Sequence, residues 1–392
     1  MRRRRITLAV SFVVLALTIL AGSPADAFVA QDAPVVQEGG STDEALVFDV
    51  IQVSGFIDEI NADFIEQSLE EAADLGSGGV ILQVNSSAAV VDDARLIEVA
   101  RAIRESPVPV YAWVGPSGGK AKGGAAQLVA VAEQIGIAFG ADYGDLGEIV
   151  VGDLLSEERL AQLAGLEDTI IDEEEARERG LIGYEAPTLA RFAVGPAEGE
   201  GLPGFEVVLD ETSGEDATLE IASPVRLRKL SLFKGWMHSV ASPAMAYLLF
   251  LIGAGLLVFE FYTAGIGIAG VVGAVCFILG CYGLDVLPTR PWALALLVVA
   301  MLGYAVDVQT GVARAWSVIA TVCLLVGSLF LYDGFSISWI TLLVGIVGAA
   351  VSMISGMPAM VRTRFGTPTI GREWMVGMMG EAAADIRKEG VG

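Results

Sequence analysis

The 392 residues predict an exported α/β domain followed by an all-α, multi-pass membrane domain of four or five helices. Three observations carry that prediction. The first 27 residues have the make-up of a secretory signal peptide. Strand and helix patterns then alternate through the next part of the chain, and from roughly residue 243 onward it is almost continuously apolar.

The opening stretch "MRRRRITLAVSFVVLALTILAGSPADA" has a basic start, an apolar core from Ile6 to Ala21 and a small-residue ending at Ala27, where cleavage is expected. The α/β domain is assigned to 28–194. Its first strand is "ALVFDVIQVSG", and "DEINADFIEQSLEEAADLG" follows as a helix with Ile60, Phe64, Ile65 and Leu69 on one stripe, ending at Gly76. "GVILQVN" reads as a buried strand. "VDDARLIEVARAIRES" reads as a helix with Leu96, Val99 and Ile103 inward. "PVPVYAWVG" and "QIGIAFG" read as further strands, so the order argues for a parallel sheet covered by helices. In "IIDEEEARERGLIGY" a short strand, a charged helix stopped by Gly180 and another strand are expected.

Residues 195–235 read as an acidic, Gly- and Pro-rich linker closed by an interfacial segment, "RLRKLSLFK" (226–234), whose basic and apolar residues alternate. Five spans are expected between 236 and 360: 244–262, 265–284, 291–309, 313–332 and 336–357. A hydrocarbon core of about 30 Å needs about 20 apolar residues, and each span gains several kcal/mol on insertion at about −0.5 kcal/mol per central Leu, Ile, Val or Phe. With the signal removed, five spans put the α/β domain outside the cell membrane and the tail inside. Arg362, Arg364 and Arg372 agree with that, while the basic 226–234 segment runs against it.

Residues 28–225 carry 39 acidic against 9 basic side chains, net −30, where the whole chain is −24. Such a surface repels nucleic acid and reads as a solvated face. Cys276, Cys281 and Cys323 all fall inside the spans, so the exported part has neither a disulfide framework nor a cysteine-rich metal site. No metal or other cofactor is expected.

The stretch "PSGGKAKGGAAQL" (116–128) is a glycine-crowded turn between a strand and an apolar helix, where enzymes place nucleophiles or cradle anions. It is not a phosphate loop, because it lacks the G-x-x-x-x-G-K-[ST] spacing. Asn85-Ser86-Ser87, sequon-like in form, reads as a turn at a strand end. In the membrane half, Glu260 and Asp307 each precede a glycine by four or five residues, Gly265 and Gly311, and the two segments form a weak internal repeat. Both acids lie near span ends, so interfacial placement is expected; meeting in the bundle interior, they would suggest transport. Gly253, Gly255, Gly267, Gly270 and Gly273 are expected at close helix contacts.

This order of elements resembles the NfeD family, membrane-bound ClpP-class serine proteases with a ClpP/crotonase-like exported domain, membrane helices and often an OB-fold domain. The "GVILQVN" strand, "SPVPV" (106–110), Pro116-Ser117-Gly118, the "EEEARERGLIGY" segment and the acid-then-Gly turns carry the resemblance. It implies an oxyanion turn where this chain has Asn85-Ser86-Ser87-Ala88-Ala89, and a nucleophilic serine where this chain has Gly123. Lys120 matches a position the family fills with arginine. Residues 361–392 resemble the start of the OB-fold domain, cut short, with Gly371, Gly377 and Gly380 at turn-like spacing.

Set against the resemblance is the residue inventory. The single histidine, His238, directly precedes the first span, and Lys120 and Lys122 are the only lysines of the exported domain. Loss of a nucleophile costs about 10⁶ in kcat. If the oxyanion turn requires φ > 0, Ala88 and Ala89 resist it by about 1 kcal/mol. No catalytic residue is therefore expected, and the main reading is an inactive homologue acting as a scaffold in membrane-protein quality control or microdomain assembly. The alternatives are an active endopeptidase cleaving apolar segments of membrane proteins, through Ser117 with Lys120 or Lys122, and a transport role through Glu260 and Asp307. On the first of these Ser117 is the substitute nucleophile; otherwise it is expected to cap the next helix. The resemblance implies a stomatin-like partner and homo-oligomers, with the lipid bilayer as surroundings.

Overall fold

A computed structural model describes residues 46–196, 201–205, 207–210, 218–221, 223–263, 267–310, 315–364 and 377. The expected signal peptide, Gly265, Gly311, Arg372, Gly371, Gly380 and nearly all of the expected OB-fold segment lie outside the described residues. The chain divides into two compact units, one reaching to Tyr247 with 279–288, the other holding 248–278 and the residues from Thr289 on.

The first unit is built on a five-stranded sheet: β1 (Phe48–Ser54), β2 (Gly79–Asn85), β3 (Val110–Val114), β5 (Ile135–Ile137) and β10 (Val225–Arg228), in spatial order β10-β1-β2-β3-β5 and parallel throughout. Strands covered on both faces should be apolar nearly end to end. β3, "VYAWV", is buried at every residue, and "GVILQVN" is interrupted only by Gln83 and Asn85. Helices α1 (Glu59–Asp74) and α2 (Asp93–Arg104) begin at Asp58 and Asp92, whose carboxylates accept from the amides of Asn61 and Arg95. Phe64, Ile65 and Leu69 of α1 and Leu96, Val99 and Ile103 of α2 are buried as their spacing predicts, while Ile60 is half-buried. Arg95 fastens the two helices, its guanidinium reaching Glu59, Asp63 and Glu66.

A second sheet, β4 (Lys120–Lys122), β6 (Asp142–Gly144) and β7 (Ile170–Ile171), flanks the apolar helix α3 (Gly124–Val131), which is buried from Ala125 onward. Short helices α4 (Glu157–Leu163), α5 (Glu173–Glu178) and α6 (Leu189–Val194) follow. The strand expected at "GLIGY" is absent: these residues form bends after α5. β8 (Val207–Asp210) and β9 (Thr218–Ile221) pair antiparallel.

The largest departure is at 195–235, expected to be a linker. Its "VRLR" is β10, pairing Phe48 with Val225 through Ile51 with Arg228. The alternation of basic and apolar residues there is a strand signature rather than an interfacial one. Its cause is Asp49, fully buried in β1, whose Oδ1 accepts from Arg228 Nε at 2.7 Å and whose Oδ2 faces Arg226 at 3.3 Å and Ser77 Oγ. A buried carboxylate without such partners would be strongly destabilising. Arg228 also reaches Glu71 of α1. Helix α7 (Leu232–Val240) follows, capped by Ser231.

The described residues from Pro243 on are mainly helical: α8 (Pro243–Thr263), α9 (Ile268–Val286), α10 (Pro291–Thr310), α11 (Ala315–Leu329), α12 (Trp339–Val351) and α13 (Met357–Arg364), the last two joined by a π-helical turn. Among the described residues four segments are long and apolar enough to cross a membrane: 243–262, 268–286, 291–309 and 339–360. Within the expected span 313–332 the described residues form a helix of 15 residues, Ala315–Leu329. Within the second unit, a Cβ on Gly253 would lie 2.3 Å from the Phe277 amide, and one on Gly273 within 2.8 Å of Leu256, so both allow α8 and α9 to touch. Gly267 serves instead as a turn, with φ +87° and open space around it.

Candidate functional site at the carboxyl edge of the sheet

Ligand sites of parallel α/β sheets lie outside the carboxyl ends of the strands. Here that edge comprises the turns after β1 (54–58), β2 (85–90) and β3 (115–124). They are tied into one surface. Ile57 N donates to Ala88 O at 3.0 Å, Val90 N to Ile57 O at 2.9 Å, and Ser86 Oγ to Ala88 O at 3.0 Å. Ser86 N in turn donates to Lys120 O and Lys122 N to Ser86 O, so the glycine-rich turn returns as strand β4 before the helix begins.

Gly123 is the cap residue of α3, at φ 58° and ψ −135°, and its amide donates to Asp145 O at 3.0 Å. A Cβ there would meet nothing nearer than Ala88 Cα at 3.8 Å and Asp145 O at 3.9 Å. The edge thus brings Ala88, Ala89 and Gly123 together, with Ala89 Cβ 2.7 Å from where a Gly124 Cβ would stand. Ala88 and Ala89 do not have positive φ; among the described residues Asp145, at φ 51°, is the one non-glycine that does. The turn is extended, with a parallel bridge from Ile57 to Ala89.

Lys122 Nζ lies 2.7 Å from Asp142 Oδ2. Lys120 and Ser117 are exposed, and no hydrogen bond joins Ser117 to either lysine among the described residues. Ser117 does not cap α3, which starts seven residues later. Gln127, buried in α3, donates from Nε2 to Leu146 O and Glu148 O, each at 2.8 Å, and accepts from Val150 N, stitching the 145–150 loop to the helix.

Sequence reasoning missed the ionisable pair of this edge. His238, on α7, donates from Nδ1 to Asp58 Oδ2 at 2.7 Å and from Nε2 to Ser54 O at 3.0 Å. Burial opposes the charged imidazole, but the hydrogen bond and charge of Asp58, with the Ser54 carbonyl, outweigh it and raise the pKa above the usual histidine value. Both partners can only accept, so the two contacts are made together by the imidazolium, the form the raised pKa favours, and in that form the ring has no lone pair to receive a proton. Asn61 Nδ2 braces the same turn from Ser54 O and Phe56 O. A capping aspartate at 58 is visible in sequence; its distant partner is not.

In the second unit Glu260 and Asp307 each hold the start of the helix that follows. Asp307 Oδ2 accepts from Ser317 N at 2.7 Å and Ser317 Oγ at 2.8 Å. Glu260 accepts from Gly267 N at 3.1 Å and Gly270 N at 3.3 Å. Asp307 is buried and Glu260 half-buried, and each lies within the last turn or so of its helix. The internal repeat is a repeat of helix caps, with an acid binding the amide ten positions on in both copies.

Residues 244–357 match the model of the NfeD integral membrane domain. Membrane-bound protease PH1510 of Pyrococcus horikoshii is 24% identical over 374 residues, covering 87% of this chain and 84% of that one. Membrane protein NfeD1b of Bacillus subtilis is 25% identical over 262 residues, covering 63% of this chain and 58% of that one. Among solved structures, the 1510-N membrane-bound stomatin-specific protease with a substrate peptide aligns at 18% identity and a TM-score of 0.37, over 50% of this chain and 98% of that one. The 1510-N membrane protease specific for a stomatin homologue from Pyrococcus horikoshii aligns at 16% identity and 0.35, over 50% and 99%.

Proposed function

We propose that this multi-pass membrane protein, which carries the NfeD integral membrane domain and is related to a membrane-bound protease, is a non-hydrolytic member of that lineage. It binds a stomatin-like membrane protein and organises it in the bilayer instead of cutting it, as a scaffold in membrane-protein quality control. One observation carries the inactivity: position 123 is a glycine at the cap of α3, and neither Lys122 nor His238 is free to activate a nucleophile beside it. The partner rests on the relatives, one of whose solved structures is of a stomatin-specific protease. The chain works as a homo-oligomer, with residues 1–27 as signal peptide and the α/β domain on the extracytoplasmic face.

The test uses the full-length protein in liposomes, with a fluorophosphonate probe and a stomatin-like protein as bait. Co-purification of the bait without probe labelling or cleavage is expected. Labelling that disappears in Ser117→Ala would favour the endopeptidase reading and overturn inactivity. Failure of the bait to co-purify would overturn the partner alone. Protease accessibility of the α/β domain in oriented vesicles tests its side of the membrane.

A further inference from the structure

Helix α7 has two unlike faces. His238 looks onto the α/β domain through Asp58 and Ser54, and Lys234 lies one turn before it. At 100° per residue, Leu232, Phe233 and Trp236 fall on the opposite side. They are 96%, 71% and 51% exposed, and the Phe233 and Trp236 rings stand 6.5 Å apart. A short helix that turns its aromatic residues outward and its ionic residues toward its own domain has no rationale in water.

We propose that this face is a membrane-interface anchor, and that its occupant is the headgroup and upper acyl layer of the bilayer that α8 enters. Chain length supports this. α7 ends at Val240 and the first membrane-crossing segment starts at Pro243, so about 10 Å of chain at most separates them. The helix therefore cannot leave the neighbourhood of the bilayer surface. Composition agrees, because tryptophan and phenylalanine with flanking lysines are what an interfacial helix presents. Lys229 and Lys234 take part in no ion pair among the described residues, in a unit otherwise dominated by acid. The arginines just before, Arg226 and Arg228, are committed to Asp49, which places the interfacial element later than the sequence pattern suggested. The reading does not depend on whether the α/β domain is catalytic.

The experiment places an environment-sensitive fluorophore at Phe233→Cys in the full chain with Cys276, Cys281 and Cys323 replaced by alanine, reconstituted in liposomes. Ser117→Cys is the solvent-exposed reference. Expected are quenching by shallow brominated lipid at least about threefold stronger at 233 than at 117, and iodide quenching weaker by a similar factor. Iodide quenching at 233 equal to that at 117 would overturn the anchor. So would protection from both quenchers that grows with the protein-to-lipid ratio, which would assign the face to a second copy of the chain. Introducing Leu232→Ser and Trp236→Ser should return the label to iodide, and unchanged circular dichroism would show that the fold survives.

Discussion

His238 and Asp58 are 180 positions apart, yet their 2.7 Å hydrogen bond fixes helix α7 to the turn that ends β1. Because Ser54 O takes the other ring nitrogen, this union is made by the protonated histidine. The folded pKa is raised, so the stabilisation is fully present below the unfolded value of 6.5 and is lost as pH rises through the folded value.

Thermal unfolding of the full chain in liposomes, followed across that range, should therefore show stability falling with rising pH. His238→Gln should flatten the dependence and cost about 2 kcal/mol at low pH, within the range for hydrogen bonds to charged groups. An unchanged slope in the variant would assign the pH dependence to other groups.

Gly123→Ser restores a hydroxyl beside the Ala88 turn without a steric clash, since the added Cβ has 3.8 Å of clearance. At φ 58° and ψ −135°, a conformation kept largely for glycine, a side chain is disfavoured by about 1–3 kcal/mol. On the proposed inactivity the variant should be less stable and still unlabelled by a fluorophosphonate, with Lys122 engaged by Asp142 and His238 by Asp58. Labelling of the variant would show that a base exists at this edge.

Asp307→Ala removes two hydrogen bonds from the start of α11 and should cost about 1–2 kcal/mol, as loss of a helix cap does. Hydrogen exchange should quicken at the Ser317 amide and leave Gly267 and Gly270 unchanged. Glu260→Ala should give the reverse pattern.

Arg228→Ala leaves the Asp49 carboxylate buried with Arg226 and Ser77 alone and should cost about 3 kcal/mol. Asp49→Ala with Arg228→Ala should cost less than the two single changes together, a coupling that denaturant titration would measure.

The elements legible in the sequence are those whose burial is local. The stripes of α1 and α2, the apolar runs of β2 and β3 and the long membrane helices follow from patterns read within about 20 residues. What escaped depends on partners far along the chain. "VRLR" reads as a surface segment until Asp49 supplies a reason to bury its arginines. His238 reads as a lone residue before a membrane span until Asp58 meets it. β4 was hidden because Lys-Ala-Lys has no strand signature; its pairing with Asp142–Gly144 makes it one. At the candidate site, Gly123, Ala88 and Ala89 could be named from the sequence, but their assembly with the β1 turn could not. Glu260 and Asp307 stood out as a repeat, and only the hydrogen bonds reveal that each binds backbone amides.

The placement of β10 bears on how the protein is made. Its pairing with β1 joins the amino-terminal strand to the stretch just ahead of the first membrane segment. A ribosome must therefore synthesise everything up to Arg228 before that edge can be closed and Asp49 neutralised. Until then the nascent domain waits with an open β1 edge, a vulnerable state for a sheet dominated by distant pairings. Truncation ahead of residue 225 would leave that state permanent, and the compact unit that holds the sheet runs on past β10 through α7 and His238.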